Sequence, residues 1–223
     1  GFGKFGTLDV EDDWDCVARR YYFNIVGRFG AQVQALLKKA SNLDIKMICS
    51  LHGPILKENL EYYINKYDIW SSYKPEDSGI LIAYNSIHGN TEEAVLKLAQ
   101  ILKENGEEKV VVSNLAREDM AEVLEDAFRY DRMILASPTY DMSLFPATEK
   151  FLTRLKHKNY QNRKVAIIQN GSWAPASGKL MKDLFSEMKN IEIVEPMVTI
   201  KTRMTEETEK QMEELVKNIC KRG

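Results

Sequence analysis

The chain has 223 residues, 44% of them hydrophobic and 29% charged, an ordinary balance with enough apolar material for a sizeable core. A formal net charge of -2, from 31 basic and 33 acidic residues, argues against a nucleic-acid binder, and no run approaches the roughly 18 apolar residues of a membrane span. No basic-then-apolar leader is present, and Cys16, Cys49 and Cys220 form no CxxC pair, so they read as buried or idle thiols of a reducing cytoplasm rather than a zinc knuckle or a disulfide framework.

Residues 16–40 are predicted as one amphipathic helix, with Val17, Tyr21, Ile25, Phe29 and Val33 spaced four apart on its inward face. A short strand over 43–49 and a helix over 56–66 follow. One strand and two helices cannot bury their own apolar faces, so this part reads as a piece of a larger domain. A seam without clean periodicity covers 67–78, with a domain boundary near Pro75. Beyond it strands are predicted at 79–84, 109–113, 132–137, 164–169 and 191–200. Helices are predicted between them at 91–104, 119–130, 146–155 and 177–188, and a last one from Thr205. This alternation spells an α/β fold, a doubly wound five-stranded parallel sheet. Such a sheet binds its ligand at the carboxyl ends of its strands, near the switch in strand order.

Three loops fall at that edge. Asn85-Ser86-Ile87-His88-Gly89-Asn90-Thr91 joins the first strand to a helix start, where unpaired backbone N–H groups favour an anion. It lacks the GK[ST] of a P-loop, so its hydroxyls and amides suit one phosphate monoester. The alternative is an ordinary helix start capped by Asn90 or Thr91. Ser137-Pro138-Thr139-Tyr140-Asp141-Met142 follows the third strand, and Asn170-Gly171-Ser172-Trp173-Ala174-Pro175 the fourth. A lone exposed tryptophan is usually a packing residue. Trp173 opposite a phosphate cradle, with Tyr140 near, instead favours a planar cofactor.

The stretch IAYNSIHGNTEEAVLKL resembles the flavodoxin signature, with Ser86, Gly89, Thr91 and Leu98 matching and Ala83 and Val95 departing from it. SPTYDMSLFP resembles an FMN loop of flavodiiron proteins (A-type flavoproteins), in which two Asn usually stand where this chain has Asp141 and Met142. An Asp there would disfavour an anionic reduced ring. NGSWAPASGKLM is similar to the third FMN loop of the same family. The resemblance implies FMN held by Ser86, Ile87, His88, Gly89, Asn90, Thr91, Pro138, Thr139, Tyr140, Asp141, Asn170, Gly171, Ser172, Trp173 and Gly178.

The resemblance extends upstream. GFGKFGTLD, ARRYYFNIVGRFGAQVQ and LDIKMICSLHGPIL resemble closing segments of the metallo-β-lactamase-like di-iron domain of that family. It implies residues 1–75 as the end of that domain and 76–223 as a flavodoxin-like FMN domain, with His52 as the last iron ligand. Read from the residues alone, a His before Gly-Pro is more often a turn residue than a ligand. The family's His-x-Glu-x-Asp-His cluster, a further His and a bridging Asp lie upstream of Gly1, so a complete di-iron site is not expected in this chain. A fragment, a processed chain or part of a larger assembly is expected, over a natural short protein.

Two other patterns are set aside. Gly1, Gly3 and Gly6 spell GxGxxG but have no preceding strand and no βαβ unit around them. The acids Asp9, Glu11, Asp12, Asp13 and Asp15 suit a solvated surface or helix start better than a metal.

By resemblance the expected function is an oxidoreductase. FMN would accept electrons from rubredoxin or a related donor and relay them to di-iron that reduces dioxygen or nitric oxide, in a cytoplasmic head-to-tail homodimer. The alternative is a flavodoxin-like electron carrier without terminal reductase activity. A zinc hydrolase of the β-lactamase-like class is disfavoured by the missing ligand cluster.

Overall fold

The computed structural model describes residues 14–221. The GxGxxG and most of the acidic run therefore lie outside the described residues, as does the GFGKFGTLD segment.

The amino-terminal part opens with a helical run in four segments. These are α1 (Asp15–Tyr21), a π-helical turn (Tyr22–Val26), a 3-10 turn (Gly27–Phe29) and α2 (Gly30–Ala40). The predicted inward stripe is corrected here. Tyr21, Ile25 and Phe29 are exposed, while Trp14, Ala18, Tyr22 and Phe23 are buried. The π turn inserts extra residues per turn and moves the buried face off a four-residue period. Tertiary packing decides this phase. The Phe23 ring stacks on Phe128 with centroids 4.2 Å apart, and Tyr22 meets Trp70 at 5.6 Å.

A two-stranded hairpin follows, β1 (Ile48–Cys49) paired antiparallel with β2 (Ile55–Leu56). The predicted strand over 43–49 thus shrinks to its last two residues. Ile55 and Leu56 are recruited into the hairpin, so the next helix starts later than expected, as α3 (Leu60–Ser71). It also ends later, because Tyr67 and Trp70 pack inward on Tyr22, and the seam contracts to 72–76.

The carboxyl-terminal part runs β3 (Asp77–Tyr84), α4 (Asn90–Glu104), β4 (Val110–Asn114), α5 (Met120–Arg129) and β5 (Tyr130–Tyr140). It continues through β6 (Ser143–Leu144), α6 (Pro146–His157), β7 (Arg163–Asn170), α7 (Ser177–Ser186), β8 (Ile191–Ile200) and α8 (Glu206–Ile219). The main strands pair in parallel in the order β4-β3-β5-β7-β8, so by position in this part the order is 2-1-3-4-5. The α/β, flavodoxin-like fold class is therefore the observed one. The short β6, absent from the prediction, folds back antiparallel on β5.

Both faces of the sheet are covered, which is why its strands read as continuous apolar runs. Ile80, Ile82, Ile134, Ala136 and Ile168 pack against α4 and α8 through Leu98, Leu102, Met212 and Leu215. Leu81, Ala83, Met133, Leu135 and Ile167 belong to a second core with Phe128, Phe151 and Phe185. Trp14, Tyr22, Phe23 and Trp70 of the amino-terminal part join that same core. The seam is also tied by polar groups. Arg163 donates to the carbonyls of Tyr73 (2.8 Å) and Tyr130 (2.7 Å), and buried Arg19 pairs with Glu125 (3.1 Å) and Glu76 (3.3 Å).

Cys16 and Cys49 are exposed rather than buried, and Cys16, Cys49 and Cys220 form no disulfide. Among the described residues no helix is long and apolar enough to cross a membrane.

Candidate functional site

The strand order reverses between β3 and β5, and the loop after β3 leads directly into α4. Gly89 is the N-cap of α4 with φ 87°, and no side chain caps the helix. A helix start capped by Asn90 or Thr91 is therefore not the one observed. Asn90 and Thr91 lie inside the helix and do not cap it. Elsewhere the fold does use side-chain caps, Asp119 on Ala121 N–H at 2.9 Å and Thr205 on Thr208 N–H at 3.3 Å. A Cβ on Gly89 would meet nothing within 4 Å, so this left-handed turn faces open space. The first-turn N–H groups of α4 are thus left for an outside acceptor.

Beside them is a cleft of about 200 Å³, lined by Ser86, Ile87, His88, Asn90, Thr91, Pro138, Thr139, Asn170, Gly171, Ser172 and Thr202. The residues that precede Ser86 and Pro138 in the chain enter a buried polar relay. Asn85 Nδ2 donates to Thr148 Oγ1 (2.6 Å), which donates to Ser137 Oγ (3.0 Å). Ser177 Oγ donates to the Ser137 carbonyl at 2.9 Å. Thr139 Oγ1 turns to the start of α7 and accepts from the N–H groups of Ala176 (2.9 Å) and Ser177 (3.2 Å).

Asn170 holds the third side. Its amide takes the Thr202 N–H (3.1 Å) and gives to the Thr202 carbonyl (3.3 Å) and to Thr91 Oγ1 (3.1 Å). Thr202 stands at φ 71°, a rare conformation for a β-branched residue, and its hydroxyl donates to Ser172 Oγ at 3.0 Å. Two buried polar atoms of this region have no partner, Ser86 Oγ, at the mouth of the uncapped helix, and Asn85 Oδ1. An orphaned hydroxyl beside free helix N–H groups and no cation matches the demand of a small anionic oxygen ligand.

Glu92, in the first turn of α4, is held by a partner of its own. Glu92 Oε1 accepts from Tyr84 Oη at 2.7 Å, and burial together with that bond pushes the Tyr84 hydroxyl up to about 12.

The two aromatic residues singled out by the sequence sit outside the cleft proper. Trp173 is 96% exposed and Tyr140 half exposed, its ring edge-on to Phe145 at 5.6 Å. Asp141 and Met142 form the two-residue β5–β6 turn with φ 49° and 56°, the all-positive pattern of a type I′ hairpin. Gly178 is a correction, since it does not line the cleft. It is buried in the first turn of α7, where a Cβ would lie 2.5 Å from Met197 Sδ and 2.8 Å from Gln169 Oε1, so it serves helix–sheet packing. His52 lies at the exposed β1–β2 turn beside the Tyr21 ring (5.5 Å), away from the cleft lining. Among the described residues no group of three or more His, Cys, Asp or Glu side chains could hold a metal ion.

The sequence reading missed Thr202, Thr148 and Ser177, and placed Asn85 and Ser137 in their loops without giving them a role. Thr202 had a usable signal, because the loop after the fifth strand ends at the same sheet edge. A larger hollow of about 530 Å³, lined by Tyr73, Tyr160 and Met188 among others, lies at the opposite, amino-terminal edge of β7 and β8, where the Lys156–Glu187 ion pair borders it. Size alone does not make it the site. The switch point and the open helix start both belong to the smaller cleft.

A family model described as a flavodoxin domain matches residues 81–221. The chain belongs to the flavodoxin domain family. The match covers β3 to α8, the part of the flavodoxin domain that carries every cleft-lining residue. The chain is 29% identical over 157 residues to the anaerobic nitric oxide reductase flavorubredoxin of Vibrio vulnificus, covering 69% of this chain and 32% of that protein. Its fold is similar to rubredoxin oxygen:oxidoreductase from Desulfovibrio gigas, with a TM-score of 0.87 at 19% identity over 96% of this chain and 54% of that one. The flavodiiron protein from Giardia intestinalis superposes with a TM-score of 0.82 at 21% identity, covering 97% of this chain and 56% of that one. At these identities the structural likeness speaks for the fold. The chain spans between a third and about half of the length of the curated relatives it matches.

Proposed function

We propose that the cleft binds FMN and that this chain is the electron-input part of a flavodiiron-type oxidoreductase. The observation that carries the first half is the uncapped start of α4 beside the unpartnered Ser86 Oγ. The α4 N–H groups and the Ser86 and Asn90 side chains would hold the phosphate. Asn170 and Thr139 would fix the loops around it, since each spends its polar atoms on other loops. A 200 Å³ cleft is below the roughly 300 Å³ at which pockets for whole drug-sized ligands begin, so it takes the phosphate end only. The flat ring would then lie across exposed Tyr140 and Trp173, whose apolar faces are otherwise left in water. Bound FMN supplies the redox chemistry, exchanging one or two electrons at its ring.

The second half rests on the relatives named as nitric oxide reductase, rubredoxin oxygen:oxidoreductase and flavodiiron protein. On this reading residues 1–75 close a metallo-β-lactamase-like domain, His52 is one iron ligand, and rubredoxin or a related protein is the donor. The assembly would be a cytoplasmic head-to-tail homodimer that reduces dioxygen or nitric oxide. The described residues do not fit a complete iron site, so no step is assigned to iron here.

A second reading, an electron carrier without terminal reductase activity, is favoured by the position of every cleft-lining residue within 76–223. The two separate on the full-length protein reconstituted with FMN and supplied with reduced rubredoxin. Iron content with consumption of oxygen or nitric oxide supports the first reading. Flavin reoxidation only by another electron carrier, without iron, overturns it in favour of the second.

A further inference from the structure

We propose that Tyr84 keeps the anion site at the start of α4 open by holding Glu92 away from it, a proposal that rests on the FMN reading above. Gly89 is the N-cap, so Asn90, Thr91 and Glu92 fill the first three helical positions. A glutamate at the third position is the residue that, in a capping box, turns its carboxylate back to the N-cap N–H. The helix dipole draws an acid the same way. Left free, Glu92 would occupy the N–H groups that a phosphate needs, and one anion would exclude the other.

The structure shows the opposite arrangement. Tyr84 Oη donates to Glu92 Oε1 at 2.7 Å, the helix has no side-chain cap, and Glu92 does not line the cleft. Tyr84 can impose this because it is fixed. It ends β3, is 5% exposed and stands in register between Asn114 and Ala136. Its hydroxyl stays protonated near neutral pH, as burial and Glu92 hold its titration near about 12, so it remains a donor. The orphaned Ser86 Oγ is the independent sign that a ligand oxygen, not a protein carboxylate, belongs at this helix end.

Tyr84→Phe removes only the latch. Glu92 is then free to cap its own helix and compete with the phosphate. Riboflavin, which has the ring and ribityl chain but no phosphate, does not meet that competition. The test is a fluorescence titration of the 223-residue chain with FMN and with riboflavin, for wild type, Tyr84→Phe and the double variant Tyr84→Phe/Glu92→Ala. The expected result is FMN binding weakened about three- to fivefold in Tyr84→Phe, riboflavin binding unchanged, and FMN binding restored in the double variant. Unchanged FMN affinity in Tyr84→Phe overturns the proposal, as does equal weakening of both flavins or a double variant as weak as the single one. A wild-type chain that binds neither flavin overturns the FMN reading itself, and this proposal with it.

Discussion

Asn170 grips Thr202 through both of its backbone polar groups, accepting from the N–H at 3.1 Å and donating to the carbonyl at 3.3 Å. The same amide reaches Thr91 at the start of α4. One side chain therefore joins the ends of β7 and β8 to the helix that borders the cleft, and it holds Thr202 in its left-handed conformation. Asn170→Ala should leave buried groups unpaired and release that strained backbone. We expect a stability loss of about 1–3 kcal/mol with weaker FMN binding, read by urea denaturation and flavin titration. Wild-type stability in the variant would show that the clamp is incidental.

Trp173 should separate binding from stability. At 96% exposure its truncation removes no core packing. Trp173→Ala is expected to weaken FMN by about 1–3 kcal/mol through lost ring stacking, with stability within about 0.5 kcal/mol of wild type. An unchanged flavin affinity would remove Trp173 from the site.

The phase of the amino-terminal helix is directly testable. Phe23 is fully buried and stacked on Phe128, whereas Ile25 is 57% exposed. Phe23→Ala should cost about 3–5 kcal/mol in denaturant unfolding and Ile25→Ala within about 0.5 kcal/mol. The four-residue stripe predicted from the sequence demands the reverse ranking.

Acid should act through Asp77. Burial alone would raise its carboxyl, but the hydrogen bonds and charges of Lys109 and Arg129, both at 2.8 Å, outweigh burial and hold it below its ordinary value. A carboxyl depressed in the folded state stabilises the fold above its unfolded value of about 4, and that contribution fades as pH falls through the folded value. Asp77→Asn should therefore flatten the acid limb of a stability–pH curve while lowering stability at neutral pH.

The sheet was legible because parallel strands buried on both faces leave continuous apolar runs such as Ile80-Leu81-Ile82-Ala83. The three loops at the carboxyl ends of the strands were legible for a related reason, since strand ends and helix starts locate them. The helix phase was not, because a π turn depends on Phe128 and Trp70, which are remote in sequence. The hairpin strands Ile55–Leu56 and Ser143–Leu144 were too short to show a period. Gly178 was misplaced because a motif match does not say which side of a helix a glycine faces. Thr202 escaped because its role comes from backbone strain and a partner 32 residues away.

The most direct test of the cleft as an FMN site is the visible spectrum of the purified chain after FMN is added and free flavin removed by gel filtration. The account predicts a retained flavin band near ~450 nm at one flavin per chain, lost when excess phosphate competes at the α4 start. FMN eluting entirely free of the protein would contradict it.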